Sequence, residues 1–162
     1  MRLFTTILCS LLLSVSFAKD PPHKVYGEYS DIITKANQVK IYRIQKYPVV
    51  SAEQERNTEY IYDYEVTRVY TYDKGDRLDS LNIFLMDTTQ FLYEDKRTCP
   101  FIGKYAVEFT KGKKKLTIVF SERPCYKVII FCPDTEIDKL HLDLGKNNKI
   151  YDSLQPLASD RM

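Results

Sequence analysis

The chain has 162 residues, of which 44% are hydrophobic and 28% charged, and its formal net charge at pH 7 is +2. Charges this evenly balanced produce no long-range field, so the composition excludes a protein drawn to nucleic acid or acidic lipid by its overall charge. The length fits one domain that can bury a sizeable core.

The start of the chain has the layout of a secretory signal peptide. A short positive start precedes a mainly apolar run over residues 3–17, and Ser16 and Ala18 place small residues at −3 and −1 of a cut before Lys19. The run is too short to span a bilayer comfortably. We therefore predict that residues 1–18 are a cleaved signal peptide. The mature chain is expected to be exported to the periplasm or out of the cell, without inserting in a membrane.

The first half of the mature chain alternates polar segments with short regular elements. Residues 19–29 are predicted to be a flexible leader. Ser30 or Asp31 can cap a short helix that runs to about residue 37. Residues 39–44 have the pattern of a strand, and the polar residues 50–58 are predicted to be a loop.

The clearest strand pattern covers residues 59–72, where tyrosines recur at every second position from Tyr60. Arg68 breaks the phase and the alternation restarts at Val69, which a bulge or a bend would explain. A turn over 73–76 then leads to a helix predicted over residues 77–86. Its apolar stripe consists of Leu78, Leu81 and Leu85.

The second half predicts an antiparallel meander with strands at 105–110, 116–120 and 125–131. After Pro133, the spacing of Ile137, Leu140 and Leu144 predicts a helix that ends at Gly145. A last short helix is expected near residues 149–154, and residues 156–162 are expected to be a frayed tail. Together these elements predict one α+β domain over residues 30–155. Its mainly antiparallel sheet would have about five strands, with helices packed on one face.

Three cysteines remain in the mature chain, and an exported protein can oxidise one pair. In the predicted meander, Cys99 and Cys125 lie near the same end of the sheet. Cys132 closes the third strand at the opposite end, too far from Cys125 to bond in an extended segment. We therefore predict a Cys99–Cys125 disulfide and a free thiol at Cys132.

The sequence contains no HExxH, GxSxG, Walker or GxGxxG motif. A thiol and imidazole pair would need Cys99, Cys125 or Cys132 to meet His141, and the cysteines lack the close CxxC spacing of zinc sites. We predict no catalytic residue, no metal and no cofactor. The lysine-rich run at residues 111–115 is interpreted as a solvated turn, with a phosphate or lipid contact as the alternative.

The 13 tyrosines are the remaining unusual feature of the composition. Tyrosine rings are rigid and amphipathic, and exposed rows of them make good recognition surfaces. The favoured interpretation is that the tyrosines lie on the core face of a central strand. A position at a sheet edge would instead favour a binding face. The candidate residues for that face are Tyr60, Tyr62, Tyr64, Tyr70 and Tyr72.

Three different segments follow one another along residues 30–131. They are an opening strand at residues 36–44, the leucine helix, and a block with Cys99, Phe101, Tyr105, Ala106, Phe109 and Gly112-Lys113-Lys114 before Cys125. This order resembles a group of small exported bacterial proteins without a known activity. The resemblance implies export, one α+β domain and the Cys99–Cys125 pair. Several members of the group carry a CxxC-like pair at the second cysteine, which this chain lacks.

These observations predict a non-enzymatic binding module whose partner is a protein or an envelope component rather than nucleic acid. The alternatives are a hydrolase or inhibitor-like domain with an unrecognised site, or a structural envelope protein. A deep pocket that joins His141 to a carboxylate or to Cys132 would favour the hydrolase.

Overall fold

The computed structural model describes seven stretches of the chain. They are residues 23–26, 29–46, 59–73, 78–92, 98–131, 140–145 and 148–159. The predicted signal peptide, the predicted loop at 50–58 and the predicted free thiol Cys132 lie outside the described residues.

Within these stretches the chain forms eight strands, four α-helical segments and one 3₁₀ turn at Thr88–Gln90. The strands are β1 (Gln38–Gln45), β2 (Tyr60–Ile61), β3 (Tyr64–Asp73), β4 (Phe91–Leu92), β5 (Gly103–Lys111), β6 (Lys114–Ser121), β7 (Lys127–Phe131) and β8 (Leu140–Leu144). The helical segments are α1 (His23–Tyr26), α2 (Ser30–Lys35), α3 (Asp79–Met86) and α4 (Ile150–Leu157).

All eight strands belong to one sheet in the order β2-β3-β1-β5-β6-β7-β8-β4. Every neighbouring pair is antiparallel, which confirms the predicted mainly antiparallel α+β architecture. The predicted number of about five strands is wrong. Three short strands, β2, β4 and β8, account for the difference, and two of them have only two residues each.

The helix predicted to end at Gly145 is also wrong in its described part, because residues 140–144 form β8. Leu140, Leu142 and Leu144 recur at every second position, so this segment fits a strand as well as a helix. Pairing with β7, in which Val128 lies opposite Leu142, decides the outcome. Residues 134–139 of the predicted helix lie outside the described part of the chain.

The main hydrophobic core lies between one face of the sheet and the described helices. Leu81, Leu85, Ile150 and Leu154 reach it from α3 and α4, and each has an exposed fraction of 0%. Burying an aliphatic side chain of this size stabilises the fold by roughly 1.5–3 kcal/mol. The sheet contributes Ile41, Val107, Phe109, Leu116, Ile118, Phe120, Val128 and Ile130.

Both ends of the described chain are more ordered than the sequence predicts. In the predicted leader, the Tyr26 hydroxyl donates a hydrogen bond to the Leu85 carbonyl oxygen at 2.9 Å. In the predicted tail, α4 continues through Pro156, and the Leu157 carbonyl accepts a hydrogen bond from the Tyr72 hydroxyl at 2.6 Å. Each contact buries apolar surface against residues far away in sequence, which a local pattern does not reveal.

Candidate functional site

The predicted strand at 59–72 is a hairpin rather than one continuous strand. Tyr60 and Ile61 pair with Glu65 and Tyr64, and residues 62 and 63 form the turn. The tyrosine spacing runs through the turn, although the pairing of Tyr60 with Glu65 and of Tyr64 with Ile61 puts Tyr60 and Tyr64 on opposite faces of the sheet. For this reason the alternation alone did not show where the chain reverses.

Tyr62 occupies the turn with a φ of 56°, a left-handed conformation that is uncommon for an aromatic residue. Its ring stacks on Phe131 of β7, with 3.4 Å between ring centroids and 18° between ring planes. The stack fastens the tip of the hairpin to the face of the sheet opposite the main core.

A register shift in β3 divides the tyrosines between the two faces of the sheet. Arg43 of β1 pairs with Arg68, whereas the next residue, Ile44, pairs with Val66, so Thr67 is an extra residue. Such a bulge moves the following side chains to the opposite face. Its position agrees with the break in phase at Arg68 that the sequence shows.

The five candidate tyrosines therefore do not form one surface. Tyr70 and Tyr72 pack against the main core, and Tyr64 packs against a second apolar cluster on the opposite face. The buried members of that cluster are Tyr42, Ile44, Ala106, Val119, Ile129 and Phe131. Tyr60 and Tyr62 are exposed by 43% and 42%. Only these two members of the set carry a large exposed area.

Exposed apolar side chains concentrate on the β2–β3 hairpin. Val69 of β3 is 43% exposed and adds to the two exposed tyrosines. We call the rim of the hairpin that carries Tyr60, Tyr62 and Val69 the edge surface; the strand pairing places Tyr60, opposite Glu65, and Val69, opposite Tyr42, on different faces of the sheet. Among the described residues, three of the six large hydrophobic side chains that are exposed belong to it; the others, Ile83, Leu92 and Ile102, lie on different elements.

The side chains that support the edge surface pack closely against Gly103. A Cβ atom on Gly103 would lie 2.9 Å from Cε1 of Tyr64 and 3.1 Å from Cδ1 of Ile44, so only glycine leaves room for these two side chains. The ring of Tyr64 also meets Phe101 edge-on, at 6.3 Å between centroids. Burial raises the pKa of Tyr64, and a hydrogen bond with the Gly103 backbone partly opposes that rise.

A disulfide holds the segment that carries Phe101. Cys99 and Cys125 are bonded, with 6.0 Å between their Cα atoms, and this is the pair that the meander pattern favours. The Glu122 amide also donates to the Ile102 carbonyl at 2.6 Å. Residues 99–102 are thus fastened to the β6–β7 connection, and they in turn support Tyr64.

A polar network lies on the same face of the sheet. The Tyr42 hydroxyl donates to Oε1 of Glu108 at 3.5 Å, and Nζ of Lys115 lies 3.2 Å from both carboxylate oxygens of Glu108. Burial is the main cause of a raised Tyr42 pKa, and the nearby Glu108 carboxylate adds to it.

His141 does not join a catalytic arrangement within the described residues. It is an exposed residue of β8, and its proposed partner Cys132 lies outside those residues. A cleft of about 50 Å³ lies elsewhere, beside Ile33, Leu78 and Asn82, and has room for only a few water molecules. In the described part of the chain, no three histidine, cysteine, aspartate or glutamate residues are grouped as a metal site requires.

None of the helices in the seven described stretches has both the length and the apolar character needed to cross a bilayer.

Comparisons with known proteins identify no family. No family model matches the chain, and no curated protein matches it. Among solved structures, the chain is similar to a Clostridium perfringens protein whose crystal structure bears the name "Putative Lipoprotein". The likeness covers 86% of this chain and 98% of that one, with 14% identity and a TM-score of 0.43. Similarity at this level supports no argument about the present protein.

Sequence reasoning missed the residues whose packing supports the edge surface. Gly103, Phe101 and Phe131 come from two parts of the chain more than 25 residues away from the hairpin. The one local signal was Gly103, a glycine directly before a strand pattern, which often marks a close approach of another side chain.

Proposed function

We propose that this chain is an exported, non-enzymatic binding protein whose edge surface recognises a protein or an envelope component. The single observation that carries the proposal is the exposure of Tyr60, Tyr62 and Val69 on a hairpin at one end of the sheet order. The sequence alone favours a core position for the tyrosines, and a position at the sheet edge instead favours recognition.

Two of the exposed groups are suited to a partner's surface. Tyrosine side chains lose little conformational entropy on binding and offer both an apolar ring and a hydroxyl. Tyr62 is further held by its stack on Phe131, so a partner would meet a ring that is already oriented. Such pre-organisation lowers the entropic cost of association.

Export of the chain is supported by the signal-peptide layout of residues 1–18 and by the disulfide between Cys99 and Cys125. Stable disulfides are typical of proteins that work outside the reducing cytosol.

Site-specific crosslinking in the native host tests the proposal. A photoreactive phenylalanine derivative would replace Tyr60 or Val69, two exposed positions at which no stacked ring is lost. Ile83 on α3, which is 65% exposed, and Leu92 on β4, which is 45% exposed, are matched control positions. Adducts would be identified by mass spectrometry of the processed, disulfide-bonded protein.

We expect one dominant adduct from Tyr60 and Val69 that is absent from Ile83 and Leu92. Correctly processed protein that yields no adduct from either edge position would contradict the proposal. The same set of adducts from all four positions would also contradict it, because it would indicate contact without a defined surface.

A further inference from the structure

The turn between β5 and β6 carries an arrangement of charge that does not favour folding. Lys111 and Lys114 are register partners, so their side chains lie opposite each other across the two strands. Lys113 sits between them in the turn, beside Gly112, which has a φ of 61°. Like charges directly opposite each other destabilise a pair of strands. We call Lys111, Lys113 and Lys114 the lysine turn.

The carboxylates of Glu108 and Asp31 are bound by lysines outside this turn. Glu108 accepts both of its short contacts from Lys115, and Asp31 is bridged to Lys35 at 2.7 Å. Within the described part of the chain, no carboxylate is bridged to a member of the lysine turn. The ammonium of Lys114 instead lies 5.9 Å from the centre of the Tyr29 ring.

From this unbalanced charge we infer that the lysine turn is a contact site for the surface of an anionic phospholipid membrane. The overall charge is nearly balanced, so the attraction would come from this local cluster and not from the whole molecule. The inference concerns a surface other than the edge surface and does not depend on the proposed function.

The shape of the turn favours a flat surface over a single enclosed anion. Lys113 and Lys114 are exposed at the tip of a hairpin, and Gly112 has no heavy atom within 4 Å of a Cβ built on it. A protruding tip of this kind cannot surround a small ligand, whereas several ammonium groups can approach a charged plane together.

Vesicle co-sedimentation of the mature chain tests this inference. Binding would be measured to vesicles of phosphatidylglycerol mixed with phosphatidylcholine, and to vesicles of phosphatidylcholine alone. The test variant is K111Q/K113Q/K114Q. The control is K35Q/K46Q/K149Q, which removes the same charge from three other exposed lysines. Circular dichroism would establish that both variants are folded.

We expect binding to the anionic vesicles only, with a partition coefficient that falls about fivefold for each lysine of the turn removed. Binding should weaken steeply as salt is added, and the control should stay within a few-fold of the parent. Equal binding to neutral vesicles, or equal loss in both variants, would overturn the inference, as would an absence of binding by the parent. If inorganic phosphate at constant ionic strength displaced the vesicles, the site would recognise a single phosphate group, and a membrane-surface contact would be excluded.

Discussion

Tyr62 and Phe131 stack although three strands, β1, β5 and β6, separate β3 from β7 in the sheet. Adjacent strands lie about 4.8 Å apart, so a flat sheet would place β3 and β7 roughly 19 Å from each other. The ring contact therefore requires that the sheet curls or that β3 bends at its bulge. Either shape brings the tip of the hairpin over the second apolar cluster.

Replacing Tyr62 by alanine removes this ring contact. Aromatic pairs contribute about 0.5–1.5 kcal/mol beyond their buried area, so we expect the free energy of unfolding to fall by about 1–2 kcal/mol. Tyr62→Phe keeps the ring and should remain close to the parent. Tyr60→Ala removes a tyrosine of nearly equal exposure, and urea denaturation should show a smaller loss for it. Equal losses for Tyr60→Ala and Tyr62→Ala would mean that the stack adds nothing.

Gly103→Ala should destabilise the support of the edge surface. The new Cβ would lie 2.9 Å from the Tyr64 ring, which must then move away. Overpacking of this kind costs about 1–3 kcal/mol. Gly145→Ala is the matched control, because its Cβ would meet the nearest atom, the Gln90 carbonyl oxygen, at an ordinary 3.7 Å. A thermal melt in which the two variants lose the same stability would contradict the close approach.

The disulfide should act both on global stability and on the hairpin. In the chain-entropy model, a bond that spans 26 residues contributes about 3–4 kcal/mol. We expect Cys99→Ala/Cys125→Ala to lose about this much in urea denaturation. Hydrogen exchange should also quicken at residues 64–66, because Phe101 would no longer be held against Tyr64. If the free energy of unfolding falls but hydrogen exchange at the hairpin is unchanged, the disulfide stabilises the fold as a whole and does not specifically hold the hairpin.

Alkaline conditions should weaken the fold through Tyr42. Its pKa is raised above the ordinary 10.0 in the folded state, mainly by burial. The folded state thus holds this proton more tightly than the unfolded state does. The resulting stabilisation is complete below about pH 10 and is lost as the pH rises further. Urea denaturation from pH 8 to 11 should show a shallower loss of stability for Tyr42→Phe than for the parent; identical slopes would contradict the assignment.

Helix α3 offers a test of which of its faces meets the sheet. Leu81 is fully buried in the main core, whereas Ile83 on the same helix is 65% exposed. We expect Leu81→Ala to lower the free energy of unfolding by about 2–5 kcal/mol, and Ile83→Ala to change it by less than about 1 kcal/mol. Guanidinium denaturation would measure both. A large loss at Ile83 would mean that another segment covers that side chain.

Strong local patterns predicted much of the fold. The stripe of Leu78, Leu81 and Leu85 indicated α3, and the alternation of residues 105–131 indicated the meander of β5, β6 and β7. The break in phase at Arg68 placed the bulge of β3. These signals are reliable because an element with one buried face must repeat apolar residues at its own period, whatever the rest of the chain does.

Tertiary contacts alone decided which residues came together. Leu140 to Leu144 fits two periods, and pairing with β7 made it a strand. The tyrosine spacing runs through the turn at Tyr62, although Tyr60 and Tyr64 lie on opposite faces of the sheet, so only the fold showed that the chain reverses there. The support of the edge surface joins Tyr64, Gly103 and Phe131 across the sheet, and packing between residues distant in sequence leaves no periodic trace along the chain.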